Sequence, residues 1–236
     1  VKRRRPIVAI DGPAGAGKST VTRRVAERLG YLVLDTGALY RSVALAAERA
    51  ATSFDDNAGV AQIAESLAEQ GAVVFVSDAL QGQRVQLSGK DVTLAIRSQQ
   101  ISDGASRVSA LPGVRAALLE LQRSIGRSGG VVVEGRDIGS VVFPDAEAKF
   151  YLDATAEERA RRRHAELMGR GQDVNFETIL LEVQQRDQRD TNRAVAPLIQ
   201  APDAKYIDSS TLTIDEVVES IVGEVQIIAR KLWDDQ

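Results

Sequence analysis

Apolar and polar positions along this chain follow two rhythms. Short apolar runs rich in β-branched residues occur at Pro6-Ile-Val-Ala-Ile-Asp11, Tyr31-Leu-Val-Leu-Asp-Thr36, Val131-Val-Val-Glu134, Lys149-Phe-Tyr-Leu-Asp153 and Ala204-Lys-Tyr-Ile-Asp208. Runs this short and continuous predict buried strands. Between them, apolar residues recur at helical spacing. Val21, Val25 and Leu29 mark one helix, and Val217, Ile221, Val225 and Ile228 mark the face of the last. Residues 43–51, 58–70 and 111–125 predict three more. Strands alternating with helices predict an α/β fold, a parallel sheet with helices on both faces.

The alternation breaks in the middle. Val73-Val-Phe-Val-Ser77, Arg84-Val-Gln-Leu87 and Asp91-Val-Thr93 are short strand patterns separated by Gln81-Gly82 and Ser88-Gly89. Turn residues between alternating runs predict a small antiparallel sheet, an insert rather than a second full domain. Residues 96–106 are polar and predict partial helix. Helix starts are written later in the chain: Thr155 with Glu158 and Thr213 with Glu216 have capping-box spacing, and Asn175 reads as an N-cap.

The first strand leads into Gly12-Pro-Ala-Gly-Ala-Gly-Lys-Ser-Thr20, which satisfies G-x-x-x-x-G-K-[ST]. Strand, glycine loop and helix together predict a P-loop. Glycines let backbone N–H groups converge on phosphate oxygens, and the helix N-terminus adds partial positive charge. Lys18 is placed to reach the β- and γ-phosphates and Ser19 to ligate Mg²⁺. The loop alone does not say whether the triphosphate is donor, fuel or switch. A GTPase would carry an Asn-Lys-x-Asp motif, and this chain has none.

Composition narrows the classes. The chain has 236 residues, enough for one α/β domain with an insert. A net charge of −3 argues against a general nucleic-acid surface, and with no cysteine there is neither disulfide nor thiolate chemistry. No apolar run approaches the ~20 residues of a membrane helix. Lys2-Arg-Arg-Arg5 before a short apolar run looks superficially like a signal peptide, but the run is too short and leads straight into the P-loop. It reads as a solvated arm, on a cytoplasmic protein expected to be monomeric. The chain opens on Val1, so the expectation is a missing first segment or an unusual start.

Candidate chemistry lies past the strand ends, where open α/β sheets bind ligands. Asp35-Thr-Gly-Ala-Leu-Tyr-Arg41 offers Arg41 to a phosphate and Tyr40 for stacking, or else Asp35 or Thr36 is simply a helix cap. Glu134 could hold a magnesium-bound water, though a strand ending in an acid is common. In 157–163, Glu157 with Arg161 and Glu158 with Arg162 fit either a salt-bridged solvent face or a mobile lid. Arg186, Asp190 and Arg193 fall at i, i+4 and i+7, one helical face, with Arg189 beside them. That face is either solvated or a clamp for a ribose phosphate. His164, the only histidine, reads as a surface residue and not a ligand.

Four motifs in order resemble bacterial cytidylate kinases: the P-loop at 12–19, Asp35-Thr-Gly-Ala-Leu-Tyr-Arg41, Gly135-Arg-Asp-Ile-Gly139 with Val141-Val-Phe-Pro-Asp145, and Arg186-Asp-Gln-Arg-Asp-Thr-Asn-Arg-Ala-Val-Ala-Pro197. The resemblance covers nearly the whole chain, β-rich insert included, and adenylate kinases differ at these places. It implies a P-loop kinase that moves the γ-phosphoryl of ATP to CMP or dCMP with Mg²⁺, giving CDP or dCDP. It implies a core at about 1–55, 107–153 and 195–236, a monophosphate-binding insert at about 56–106, and a lid with its following helix at about 154–194. ATP would sit on Gly12, Pro13, Ala14, Gly15, Ala16, Gly17, Lys18, Ser19 and Thr20, with Arg159 and Arg163 from the lid and Ser19 on the metal. Thr36 (where a serine is common), Tyr40, Arg41, Arg136 and Arg193 would surround the monophosphate. Arg186 and Asp190 would hold the sugar, and Ser106, Arg115 and Asp137 would read cytosine. Lys18, Arg136, Arg186 and Arg193 would act in catalysis. The acceptor is already an ionised phosphate, so no strong base is needed. A P-loop kinase of another nucleotide or a sugar, or a nucleotide switch, are the other classes left open.

Overall fold

A computed structural model describes residues 3–78 and 82–234. Lys2 of the basic arm and Gln81 of the expected Gln81-Gly82 turn lie outside them. In chain order the elements are β1 (Ile7–Asp11), α1 (Lys18–Leu29), β2 (Leu32–Asp35), α2 (Thr36–Arg49), α3 (Asn57–Glu69), β3 (Val73–Asp78), β4 (Gly82–Leu87), β5 (Lys90–Asp91), α4 (Gln99–Val108), α5 (Pro112–Gly126), β6 (Val131–Gly135), β7 (Ala148–Asp153), α6 (Ala156–Gly169), α7 (Phe176–Asn192), β8 (Lys205–Asp208) and α8 (Ile214–Asp234). The chain divides into two compact units, Val1–Leu34 with Ile125–Gln236, and Asp35–Ser124.

The first unit holds a five-stranded sheet in the order β2-β6-β1-β7-β8. β1 runs parallel to both β6 and β7, and β7 parallel to β8. Every residue of β1 and β6 is buried, which is why these runs read as continuous rather than alternating. Strand pleat still sorts their side chains. Val8, Ile10, Val132, Phe150, Leu152 and Ile207 pack with Val21 and Val25 of α1 and with Val217, Ile221 and Val225 of α8. Each fully buried Val or Ile there contributes about 1.5–3 kcal/mol. Period two then puts Glu134 on the α1 side and turns Asp11 and Tyr151 to the other face. α8 opens with a reciprocal capping box: Glu216 N–H donates to Thr213 Oγ1 at 3.3 Å and Thr213 N–H to Glu216 Oε2 at 2.8 Å. At α6 only half forms. Thr155 caps Glu158 N–H, but the Glu158 carboxylate goes to Arg161 and Arg162. Asn175 caps α7 through Thr178 N–H at 3.1 Å.

The second unit carries the antiparallel sheet β3-β4-β5 and helices α2, α3 and α4. The expected third strand is shorter than its pattern. β5 ends at Asp91, and Thr93 continues the pairing with its side chain, Oγ1 accepting Val85 N–H at 2.9 Å. Gly82 belongs to β4 and not to a turn.

Three further expectations are corrected. Arg3 is not part of a solvated arm: it donates to Asp145 Oδ2 at 2.7 Å and Glu147 Oε1 at 3.0 Å, while Arg4 and Arg5 are exposed. His164 is half-buried, edge-on to Phe176 and 3.0 Å from Val174 O, because α6 folds back against the start of α7. The Arg186, Asp190, Arg193 face is not one helix. α7 stops at Asn192 and Arg193 is extended, at φ −63° and ψ 139°. Among the described residues, no helix is long and apolar enough to cross a membrane.

Candidate active site

β1 delivers the chain to Gly12, whose φ of 147° and close approach to β7 leave no room for a side chain. A Cβ there would stand 1.9 Å from Leu152 O. α1 starts at Lys18 with Gly17 as N-cap and no side-chain cap. Five other helices differ: Asp35, Asp56, Ser98, Thr155 and Asn175 each cap one with a side-chain oxygen. The N-terminus of α1 thus keeps its first-turn N–H groups and its partial charge for an anion.

The loop is pinned from behind. Lys18 Nζ donates to Pro13 O at 2.6 Å, Arg159 Nη1 to Ala14 O at 3.1 Å, and Ser209 Oγ to Ala16 O at 3.3 Å. Lys18 is buried, and burial pushes its pKa well below the ordinary lysine value; Arg136 and Arg186 push the same way, Glu134 and Asp190 against it. Ser19 is exposed and its hydroxyl donates to Glu134 Oε2 at 2.9 Å, the reach that the pleat of β6 allows. Thr20 is half-buried.

The turn after β6 brings a second charge cluster to the same unit. Arg136 Nε donates to Asp190 Oδ2 at 2.8 Å, and Arg193 Nη2 to Asp137 Oδ1 at 3.4 Å. Burial works to raise the Asp190 pKa, but Arg136, Arg186 and Arg193 outweigh it and hold the carboxyl below its usual range. Burial likewise opposes the Arg136 charge, and Asp190 and Glu134 raise its pKa regardless. Three arginines from two segments therefore surround one carboxylate, with the Lys18 ammonium close enough to feel two of them.

Arg159 and Arg163 part company. Arg159 is buried and pairs with Asp187 of α7. Arg163 is half-buried and donates to Glu166 Oε2 at 3.0 Å.

The remaining expected residues lie in the second unit. Asp35 is the cap of α2, accepting Ala38 N–H at 2.9 Å, and also pairs with Arg41 at 2.7 Å. Thr36 is buried in the first turn of α2. Arg115 donates to Tyr40 Oη and to Ser109 O, both at 3.3 Å, with its guanidinium 5.9 Å from the Tyr40 ring centroid. The Ser106 hydroxyl is buried and has no hydrogen-bond partner among the described residues.

Comparison with known proteins decides which kind of P-loop protein carries this arrangement. The family model described as Cytidylate kinase matches residues 8–227. This chain belongs to the cytidylate kinase family. Relatives named cytidylate kinase include one from Geobacter sp. (strain M21), 53% identical over 90% of this chain and 89% of its own. One from Citrifermentans bemidjiense is 50% identical over 93% and 92%, and one from Shewanella loihica 48% over 96% of both. A crystal structure of an uncharacterized protein from Eubacterium ventriosum shares the fold at a TM-score of 0.50 and 12% identity, covering 94% of this chain and 99% of that one. Membership makes the chain a nucleoside monophosphate kinase.

Three residues that hold the loop and the charge cluster are not among those singled out by the motifs. Asp11 is buried and its two oxygens accept Ile138 N–H and Gly139 N–H at 2.8 and 2.7 Å. The signal was present, an acid ending a strand beside the P-loop glycine. Ser209, which holds Ala16 O, sits past the end of the last strand, where the open-sheet rule points. Asp187 lies within the Arg186 to Pro197 motif, but nothing local shows its pairing, since its partner is 28 positions away.

Proposed function

We propose that this chain transfers the γ-phosphoryl of ATP to CMP or dCMP with Mg²⁺, giving CDP or dCDP and ADP. The observation that carries the reading is the crowding of Lys18, Arg136 and Arg186: burial lowers the Lys18 pKa most, and the two arginines lower it further against Glu134 and Asp190. Like charges are held together against their repulsion where dense negative charge is to be bound. Any phosphoryl transfer needs some of this, and joining two phosphates needs more of it than transfer to a neutral sugar hydroxyl. Arg136 and Arg193 would offset the acceptor phosphate, and Lys18 and Arg186 the transferring group. In the second unit, Thr36, Tyr40 and Arg41 are side chains suited to contact a nucleotide phosphate.

The donor set suits Mg²⁺. The Ser19 hydroxyl is a hard oxygen ligand at the loop mouth, and Glu134, already within hydrogen-bond reach of it, would hold a metal-bound water. Among the described residues no group of three or more His, Cys, Asp or Glu forms a metal cage. Mg²⁺ bound through substrate phosphates and water needs none. When bound, the ion supplies charge neutralisation to the transferring group.

Selectivity would rest on hydrogen-bond direction. Asp137 accepts and Arg115 donates, which matches the N4 amino group and the N3 and O2 acceptors of cytosine. The unpartnered Ser106 hydroxyl supports a polar ligand atom at that place. Residues 154–194, with Arg163, would act as lid. An ADP-release assay across nucleoside monophosphates tests the proposal. CMP and dCMP should turn over far faster than UMP, AMP or GMP, and a different preferred acceptor would overturn it.

A further inference from the structure

The β1–β6 ladder ends with Asp11 opposite Gly135. The chain leaves the sheet there and is caught again at once. Asp11 Oδ1 accepts Ile138 N–H at 2.8 Å, and Oδ2 accepts Gly139 N–H at 2.7 Å. Only Arg136 and Asp137 lie between the last ladder pair and this clamp. Both reach onward, Arg136 to Asp190 and Asp137 to Arg193. The clamp fits tightly: a Cβ on Gly139 would stand 3.4 Å from Asp11 Oδ2 and 3.1 Å from Lys149 Cδ.

We propose that Asp11 is a positioning residue that fixes the two-residue arch and so presents Arg136 and Asp137 to the acceptor nucleotide. This rests on the reading of the site as a CMP kinase. Each carboxylate oxygen takes one amide, so the arch is held at two points and cannot swivel. Bonds from N–H groups to an ionised carboxylate are roughly twice as strong as neutral ones. A misplacement of about 1 Å in such a supporting contact can cost on the order of 100-fold in rate.

The carboxylate is held there against its own solvation. Burial pushes the Asp11 pKa up to about 6, Asp137 adds to the rise, and the Gly139 and Ile138 amides and Lys18 oppose it. The groups that face it are Lys18 of α1, Arg136 and Asp137 of the arch, and Tyr151 and Lys149 of β7. Asparagine has the same shape but one acceptor oxygen. Its NH₂ would face an amide donor, so one end of the clamp would open.

The test is Asp11→Asn in the full chain, with CMP and ATP affinities measured separately by calorimetry. CMP binding should weaken about 10-fold or more and ATP binding by less than about 3-fold, although the P-loop adjoins Asp11 in sequence. The wild-type to variant ratio of kcat/KM for CMP should also fall as pH drops through about 6, where the wild-type clamp takes up a proton. The second ionisation of CMP falls in the same range but cancels in that ratio. Equal loss for both ligands would overturn the proposal. If the variant does not fold, the wild-type Ile138 and Gly139 amide resonances serve instead. They should titrate together with a midpoint near pH 6, and their failure to titrate would overturn it. Failure of the wild type to phosphorylate CMP would defeat the functional reading, while the amide titration would still report on the clamp.

Discussion

Arg159 and Asp187 form a two-pronged ion pair, with Nη1 2.9 Å from Oδ1 and Nη2 2.6 Å from Oδ2. The same guanidinium donates to Ala14 O of the P-loop and, through Nε, to Ala154 O at 2.8 Å. One side chain thus ties the start of α6, the middle of α7 and the nucleotide loop together. Its planar fork satisfies all three at once, which a lysine could not do.

That geometry makes Asp187→Ala a stability variant first. It would leave a buried guanidinium without its carboxylate, a change that costs on the order of 3 kcal/mol. Urea denaturation should show a midpoint shift of that size at unchanged m-value. Asp187→Asn, which keeps one acceptor, should recover part of it. A loss below about 0.5 kcal/mol for the alanine variant would mean that solvent already screens the pair as it does on a surface.

Lys18 should behave in the opposite way. Lys18→Met removes a buried cation crowded by Arg136 and Arg186, so folding stability should hold or rise. Activity should not: kcat should fall on the order of 10²–10³-fold, several kcal/mol of transition-state stabilisation. The pH dependence has a definite sign. The folded pKa of Lys18 lies below its unfolded value, so the unfolded chain binds more protons in between, and wild-type stability should gain as pH rises through that interval. The methionine variant should lack that gain. Near-normal turnover in a folded variant would remove Lys18 from the mechanism.

Asp11 carries a stability signature separate from catalysis. Its folded pKa is about 6 against an ordinary 3.8, so the native state holds the proton more tightly. Stability from this group is then highest below about pH 4 and declines as pH rises to about 6, by about 3 kcal/mol in all. Asp11→Asn cannot titrate. Compared by urea denaturation at pH 4 and pH 7, the variant should look worse relative to wild type at the lower pH. A difference independent of pH would mean that burial does not raise this carboxyl.

The sheet was readable because its strands are buried on both faces, so β1 and β6 stand out as continuous apolar runs. The P-loop was readable because its glycines and Lys18 serve one local geometry. Arg193 departs from its sequence pattern for a related reason. Helical spacing from Arg186 continues through it, yet the backbone turns extended at that residue and the side chain reaches Asp137 from a loop. The charged sequence neighbours of His164 point to a surface position. The partner that half-buries it, Phe176, comes from the next helix. Asp187 pairs with a distant arginine and Ser209 donates to backbone carbonyls, contacts that no spacing rule encodes.

Asp137 offers the sharpest test of base recognition. It is buried, and the turn it occupies is fixed on one side by the β6 ladder and on the other by Asp11. Arg193 holds one of its oxygens, so it is oriented rather than free to rotate. An ionised carboxylate accepts only, which suits the cytosine N4 amino group and repels the uracil O4. Polar groups left unpaired by the wrong base can cost factors of up to about 10⁴ in kcat/KM. The wild type should therefore strongly favour CMP over UMP. Asp137→Ala should lower kcat/KM for CMP far more than for UMP, and so compress the ratio between them. Loss of the Arg193 partner would harm both substrates alike if Arg193 acts, as proposed, on the phosphate that both share, and so would not change that ratio. Measuring kcat/KM for both nucleotides in wild type and variant separates the two effects. An unchanged ratio would assign Asp137 to holding Arg193 and leave base recognition to Ser106 and Arg115.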